Sequence, residues 1–108
     1  MSRLAETLDR LAATIAARKG ADPATSYTAS LLADGPQRAA KKLGEEAVET
    51  ALAAVSGDKE AIAAESADLI YHWLVLLAAC GVDPDAVAAK LEAREGRSGI
   101  DEKASRKS

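Results

Sequence analysis

Phenylalanine is absent from the 108 residues, and one Trp and two Tyr are the only other large rings. A core without rings has to be assembled from Ala, Leu and Val, which calls for closely packed helices and a partner chain. Cysteine occurs once, at Cys80, which excludes an internal disulfide and fits a reducing compartment. Histidine also occurs once, at His72, so there is no clustered set of soft or imidazole ligands. Excess charge of one sign is small too: the net charge of −3 and pI of about 5.1 recommend neither nucleic acid nor an anionic membrane surface. The longest apolar run, Leu69 to Cys80, is broken by His72 and falls short of the roughly 20 residues a bilayer requires. Met1 to Glu6 holds no apolar stretch before its first acid, so no signal peptide is predicted, and the expected setting is cytoplasmic, with neither membrane nor nucleic acid as partner.

What the sequence does have is acid in unusual places. Lys41-Lys42-Leu43-Gly44-Glu45-Glu46-Ala47-Val48-Glu49 is answered by Glu65-Ser66-Ala67-Asp68, and both lie in strongly apolar segments. At 100° per residue, Glu46 and Glu49 lie about 60° apart on a helix, Glu45 and Glu49 about 40°, and Glu65 and Asp68 about 60°. Ser56-Gly57-Asp58 supplies a turn between the two segments, so they form an antiparallel hairpin. Both clusters then stand about 14 Å from the bend and face each other at one height. Four or five converging carboxylates raise one another's pKa unless a cation neutralises them. An all-oxygen set favours Mg²⁺ first and Mn²⁺ second. The competing reading is a pair of solvated acidic faces. It is weakened by the run Leu69 to Leu77, which Glu65 and Asp68 introduce and which is apolar nearly all round.

Along the chain, Ser2 caps a first helix carrying the stripe Leu4, Leu8, Leu11 and Ile15, which ends near Gly20. A loop at Pro23 leads to a short helix from Ser26 to Leu32. Its Ser26, Tyr27 and Thr28 serve either as cap and packing or as the lining of a substrate pocket. Asp34 is expected to cap, and Pro36 to open, the next helix, whose core arc is Leu43, Ala47, Val48, Ala51, Leu52 and Val55. Lys41 and Lys42 are either solvated or placed to meet a polyphosphate. The helix from Asp58 to Cys80 carries His72 on the stripe of Glu65 and Asp68, as a packed core histidine or a contact to substrate. Asp83-Pro84 opens a last helix ending at Gly96. The predicted fold is therefore all-α, four to five helices around an antiparallel hairpin, assembled as a homodimer. Residues 1–95 form one domain and 96–108 a basic tail that is frayed or binds anions.

Glu45-Glu46-Ala47-Val48-Glu49, a gap of 15 residues and Glu65-Ser66-Ala67-Asp68 resemble the EExxE…ExxD signature of the all-α, MazG-like nucleoside triphosphate pyrophosphohydrolases. Together with Ser26-Tyr27-Thr28, Leu69-Ile70-Tyr71-His72, Arg94-Glu95-Gly96-Arg97-Ser98-Gly99 and Glu102 to Lys107, they resemble the phosphoribosyl-ATP pyrophosphohydrolase family of histidine biosynthesis, over essentially the whole chain. The resemblance implies Mg²⁺-dependent hydrolysis of phosphoribosyl-ATP, a small-molecule nucleotide, to phosphoribosyl-AMP and pyrophosphate. It implies Glu46, Glu49, Glu65 and Asp68 as metal ligands, with Glu45 as a further ligand or as the base, and Glu45 and Glu49 as the catalytic acids. Lys41, Lys42, Arg94, Arg97, Lys103 and Arg106 would meet the phosphates, alongside Ser26, Tyr27, Thr28 and His72. Thr50 and Trp73 stand where plain aliphatics would be expected, and neither is expected to touch the ligands. The alternatives are a housecleaning (d)NTP pyrophosphatase using the same acids, and a helical dimerisation module without turnover.

Overall fold

The computed structural model describes residues 2–96, and within them the order is α1 (Arg3–Arg18), α2 (Tyr27–Asp34), α3 (Pro36–Ser56), α4 (Lys59–Cys80) and α5 (Pro84–Glu92). No strand occurs among the described residues, so the fold is all-α as expected. Four helices start on a side-chain cap. Ser2, Ser26, Asp58 and Asp83 each accept hydrogen bonds from backbone N–H groups of the following first turn. The start of α3 departs from expectation. Asp34 is the last residue of α2 and turns to Arg38 at 2.6 Å, and Gly35 stands at the N-cap without a side-chain bond. Pro36, with its φ already set, opens α3 in its place. The last helix is also shorter than predicted, ending at Glu92 before a turn that runs to Gly96.

The apolar core forms where α1, α2, the start of α3 and the second half of α4 meet. Ile15, Leu31, Ala39, Leu74 and Val75 are buried there, and Leu8, Leu11, Leu32 and Trp73 pack around them. From this core α3 and α4 run on together to their bend, where Gly57 at φ 77° closes α3 and Asp58 caps α4. The hairpin is therefore the expected antiparallel one, with a two-residue link.

The seam α3 turns toward α4 differs from the expected arc. Ala39, Glu46 and Ala53 are its buried residues, with Leu43 and Thr50 half-buried between them, a spacing of three to four residues throughout. Val48, Leu52 and Val55 face outward instead, with Val55 87% exposed. The small side chains at 39 and 53 let the two backbones approach, and that approach draws Glu46 into the seam. The larger aliphatics are left on the far side. At 22 residues, α4 is long and apolar enough by length and composition to cross a bilayer, longer than the run from Leu69 suggests. It packs against α1, α2 and α3 and carries Glu60, Glu65 and Asp68, which makes it the central helix of the bundle.

Candidate active site

The hairpin brings Glu46 and Glu49 of α3 together with Glu65 of α4: one carboxylate oxygen from each lies within 4.8 Å of the others. Glu46 is buried, Glu65 half-buried and Glu49 exposed, so the cluster opens to solvent at Glu49. Burial holds the Glu46 carboxyl above the usual carboxylate range, and the charges of Glu49 and Asp68 push it further, partly offset by His72. Glu65 is raised first by a hydrogen bond with the carboxyl of Glu49, which favours a protonated form, then by burial and by the surrounding acids. One oxygen on Glu46 and one on Glu65, both Oε2, are buried without a hydrogen-bond partner. Unpartnered buried carboxylate oxygens of like charge, held together by the fold, are what a cation would satisfy. The donor set is all oxygen, which fits a hard divalent ion.

Asp68 is exposed one turn along α4 from Glu65, near enough for its charge to act on both Glu46 and Glu65. Glu45 stands apart from the trio: its carboxylate turns to the Lys42 ammonium at 3.5 Å. Lys42 is held above its usual range, by Tyr27 first and by Glu45 second, so it sits between α2 and the acids. Lys41 is exposed on the same helix. Arg94 lies in the turn after α5, its backbone N–H donating to the Leu91 carbonyl. Arg97, Lys103 and Arg106 lie outside the described residues.

All three hydroxyls of the Ser26-Tyr27-Thr28 segment have partners. Ser26 caps α2 by accepting from the Ala29 N–H at 3.1 Å. The hydroxyls of Thr28 and Tyr71 share a hydrogen bond of 2.5 Å. Tyr27 Oη lies 3.3 Å from His72 Nε2, and His72 Nδ1 lies 2.8 Å from the Asp68 carbonyl oxygen. A carbonyl only accepts, so Nδ1 carries hydrogen; in the neutral ring Nε2 accepts from Tyr27. His72 is thus a buried core histidine, and also the link that joins α2 to the backbone of an acid. The Tyr27 ring remains half-exposed beside Lys42.

Sequence reasoning missed Arg38 and Thr50. Arg38 donates to Ser30 at 2.8 Å and pairs with Asp34, and its guanidinium lies 5.8 Å from the centre of the Tyr27 ring. The signal was its position one turn before Lys42, which puts both cations on one side of α3. Thr50 was expected not to touch the proposed ligands, yet it meets two of them through their main chain. Its hydroxyl lies 2.8 Å from the Glu46 carbonyl and 3.1 Å from the Glu65 carbonyl.

Fold and site define a class: an all-α protein whose central hairpin converges carboxylates from two helices, with a cation-bearing helix face beside them. Residues 8–95 match the phosphoribosyl-ATP pyrophosphohydrolase family, and this chain belongs to it. Three relatives, each named phosphoribosyl-ATP pyrophosphatase, show how close the likeness is. The one from Caulobacter vibrioides is 71% identical over 104 residues, covering 96% of each chain. That from Parvibaculum lavamentivorans is 63% identical over 106 residues, 98% of this chain and 97% of its own. That from Azospirillum brasilense is 62% identical over 104 residues, 96% and 94%.

Proposed function

We propose that this chain hydrolyses 1-(5-phosphoribosyl)-ATP to 1-(5-phosphoribosyl)-AMP and pyrophosphate, the second step of histidine biosynthesis, as a cytoplasmic Mg²⁺-dependent enzyme. The observation that carries the site is the meeting of Glu46, Glu49 and Glu65 with two buried carboxylate oxygens unpartnered. The family membership and the printed names of the relatives carry the substrate.

In this reading Glu46, Glu49, Glu65 and Asp68 hold the metal, Mg²⁺ by preference and Mn²⁺ as a substitute. When bound there, the ion supplies positive charge at the phosphoanhydride, where the substrate's own anions repel a nucleophile. Glu45, outside the trio and open to solvent, takes the proton from the attacking water and passes it on, its orientation held by Lys42. Lys42 and Lys41 face the polyphosphate, and the exposed part of the Tyr27 ring borders the same space. Ser26 and Thr28 hold Tyr27 in place through the cap and through Tyr71, and His72 does so through its ring. Arg94, Arg97, Lys103 and Arg106 are assigned to the 5-phosphate that distinguishes this substrate from ATP.

The outward stripe Val48, Leu52 and Val55, together with exposed Leu4, supports a homodimer, since a lone chain leaves these aliphatics in water.

The metal assignment is tested by stripping the protein with chelator and measuring pyrophosphate release. Activity disappears, returns with Mg²⁺ or Mn²⁺, and does not return in Glu49→Gln. Turnover that persists in excess chelator would refute it.

A further inference from the structure

Three threonines in α1 and α3 place a hydroxyl on the carbonyl four residues back: Thr7 on Arg3, Thr14 on Arg10 and Thr50 on Glu46, at 2.8, 3.0 and 2.8 Å. This bond is ordinary for a helical threonine and carries no information by itself. Thr50 differs from the other two in having a second acceptor on another helix, the Glu65 carbonyl at 3.1 Å. The two carbonyls it reaches belong to Glu46 and Glu65, the same residues whose Oε2 atoms are buried without partners. A single hydroxyl thus stands between the backbones of the two helices at the level where their acids meet.

The arrangement answers a physical problem. Carboxylates brought together from two helices push those helices apart, and more strongly when ionised. A lysine or arginine in the seam would hold the helices, but it would occupy the carboxylate oxygens and the place of a cation. A threonine hydroxyl shares its one hydrogen between the two main-chain carbonyls and leaves every carboxylate oxygen free. Valine has the same shape and lacks the donor. Both carbonyls retain their own helix hydrogen bonds in its absence, so losing the hydroxyl orphans no buried group.

We propose that Thr50 is a positioning residue: its hydroxyl ties the α3 backbone at Glu46 to the α4 backbone at Glu65 and so sets the spacing at which Glu46, Glu49 and Glu65 converge. The inference rests on the reading of these acids as a divalent-metal site. It concerns the geometry of the site, since Thr50 itself contacts no carboxylate.

The test compares wild type, Thr50→Val, Thr50→Ser and Glu49→Gln. Mn²⁺ affinity of the substrate-free protein is measured by electron paramagnetic resonance, and kcat and KM for phosphoribosyl-ATP by pyrophosphate release. Thr50→Val is expected to weaken Mn²⁺ binding about 10-fold and to lower kcat by a similar factor, the lower end of what outer-shell partners of a metal site contribute. Thr50→Ser, which keeps the donor and loses a methyl, is expected to restore both to within about 2-fold of wild type, below that range. Should Thr50→Val not fold, Thr50→Ala against Thr50→Ser makes the same comparison, because that pair differs by the hydroxyl alone. Wild-type Mn²⁺ affinity in the donorless variant overturns the proposal, as does a Ser variant as impaired as Val. If Glu49→Gln loses Mn²⁺ while Thr50→Val does not, the metal site stands and only the positioning role fails. If Glu49→Gln binds Mn²⁺ as wild type does, the site reading fails and this inference falls with it.

Discussion

Glu46 and Glu65 are both held above the usual carboxylate range, by burial in one case and by a carboxyl neighbour in the other, and the sign of the consequence is fixed. In the metal-free protein these groups keep protons at pH values where the unfolded chain has already released them. Between the ordinary carboxylate range and their raised values the folded state binds more protons, so stability falls as pH rises through that window. Below the window the penalty is absent, and above it the penalty is constant. Melting curves in chelator are expected to show Tm falling as pH rises from the ordinary carboxylate range through this window, with the slope reduced in Glu46→Gln and flattened by saturating Mg²⁺. A Tm that climbs with pH over that range would contradict the assignment. The convergence of Glu46, Glu49 and Glu65 was legible from spacing alone, because an antiparallel hairpin with a short turn leaves little freedom in height. The orientation of Glu45 was not. An acid at the edge of a seam can turn to either side, and Lys42 three residues earlier decides it. Thr50 was illegible for a related reason: a threonine beside alanines looks like a substituted aliphatic until a second helix supplies its other acceptor.

At the scale of elements, the helix boundaries follow caps that a reader of the sequence finds at once: Ser2, Ser26, Asp58 and Asp83. The junction of α2 and α3 is the exception, and its cause is one residue. Gly35 has φ 82° and ψ −174°, a conformation essentially confined to glycine, and it lets α2 end and α3 begin with a single residue between them. That junction aims α2 across α3 and α4, so that Tyr27 and Thr28 reach His72 and Tyr71. Gly35→Ala meets no neighbouring atom with its added methyl, so any cost is backbone strain alone, about 1–3 kcal/mol, read from chemical denaturation. An unchanged unfolding midpoint would show that the junction has an alternative path. Which face of α3 packs inward could not be read from hydrophobicity. Two seams compete on that helix, one small and acidic, one aliphatic. The close approach that Ala39 and Ala53 permit decides for the acidic one.

For the whole molecule, the aliphatic seam left outside is the feature on which the proposed homodimer rests. Val48, Leu52 and Val55 recur at i, i+4 and i+7 along the exposed side of α3. Replacing Leu52 and Val55 together by Asp is expected to convert a dimer into a monomer, read by light scattering on a sizing column. A wild-type chain that elutes as a monomer at all concentrations would remove the dimer from the account. The core at one end of the hairpin and the acids along it divide the labour between them. Ile15, Leu31, Leu74 and Val75 hold α4 against α1 and α2, and the stretch from Glu46 to Glu65 holds the converging carboxylates to which the proposed chemistry is assigned.

The central claim is that this hairpin cleaves phosphoribosyl-ATP. Its most direct test is pyrophosphate release by the purified protein with Mg²⁺, offering phosphoribosyl-ATP, ATP and a set of dNTPs side by side, with Glu49→Gln as the control. Release is expected from phosphoribosyl-ATP, with little from the others and none above background in the variant. Release from the dNTPs in preference, or release that survives Glu49→Gln, would contradict it.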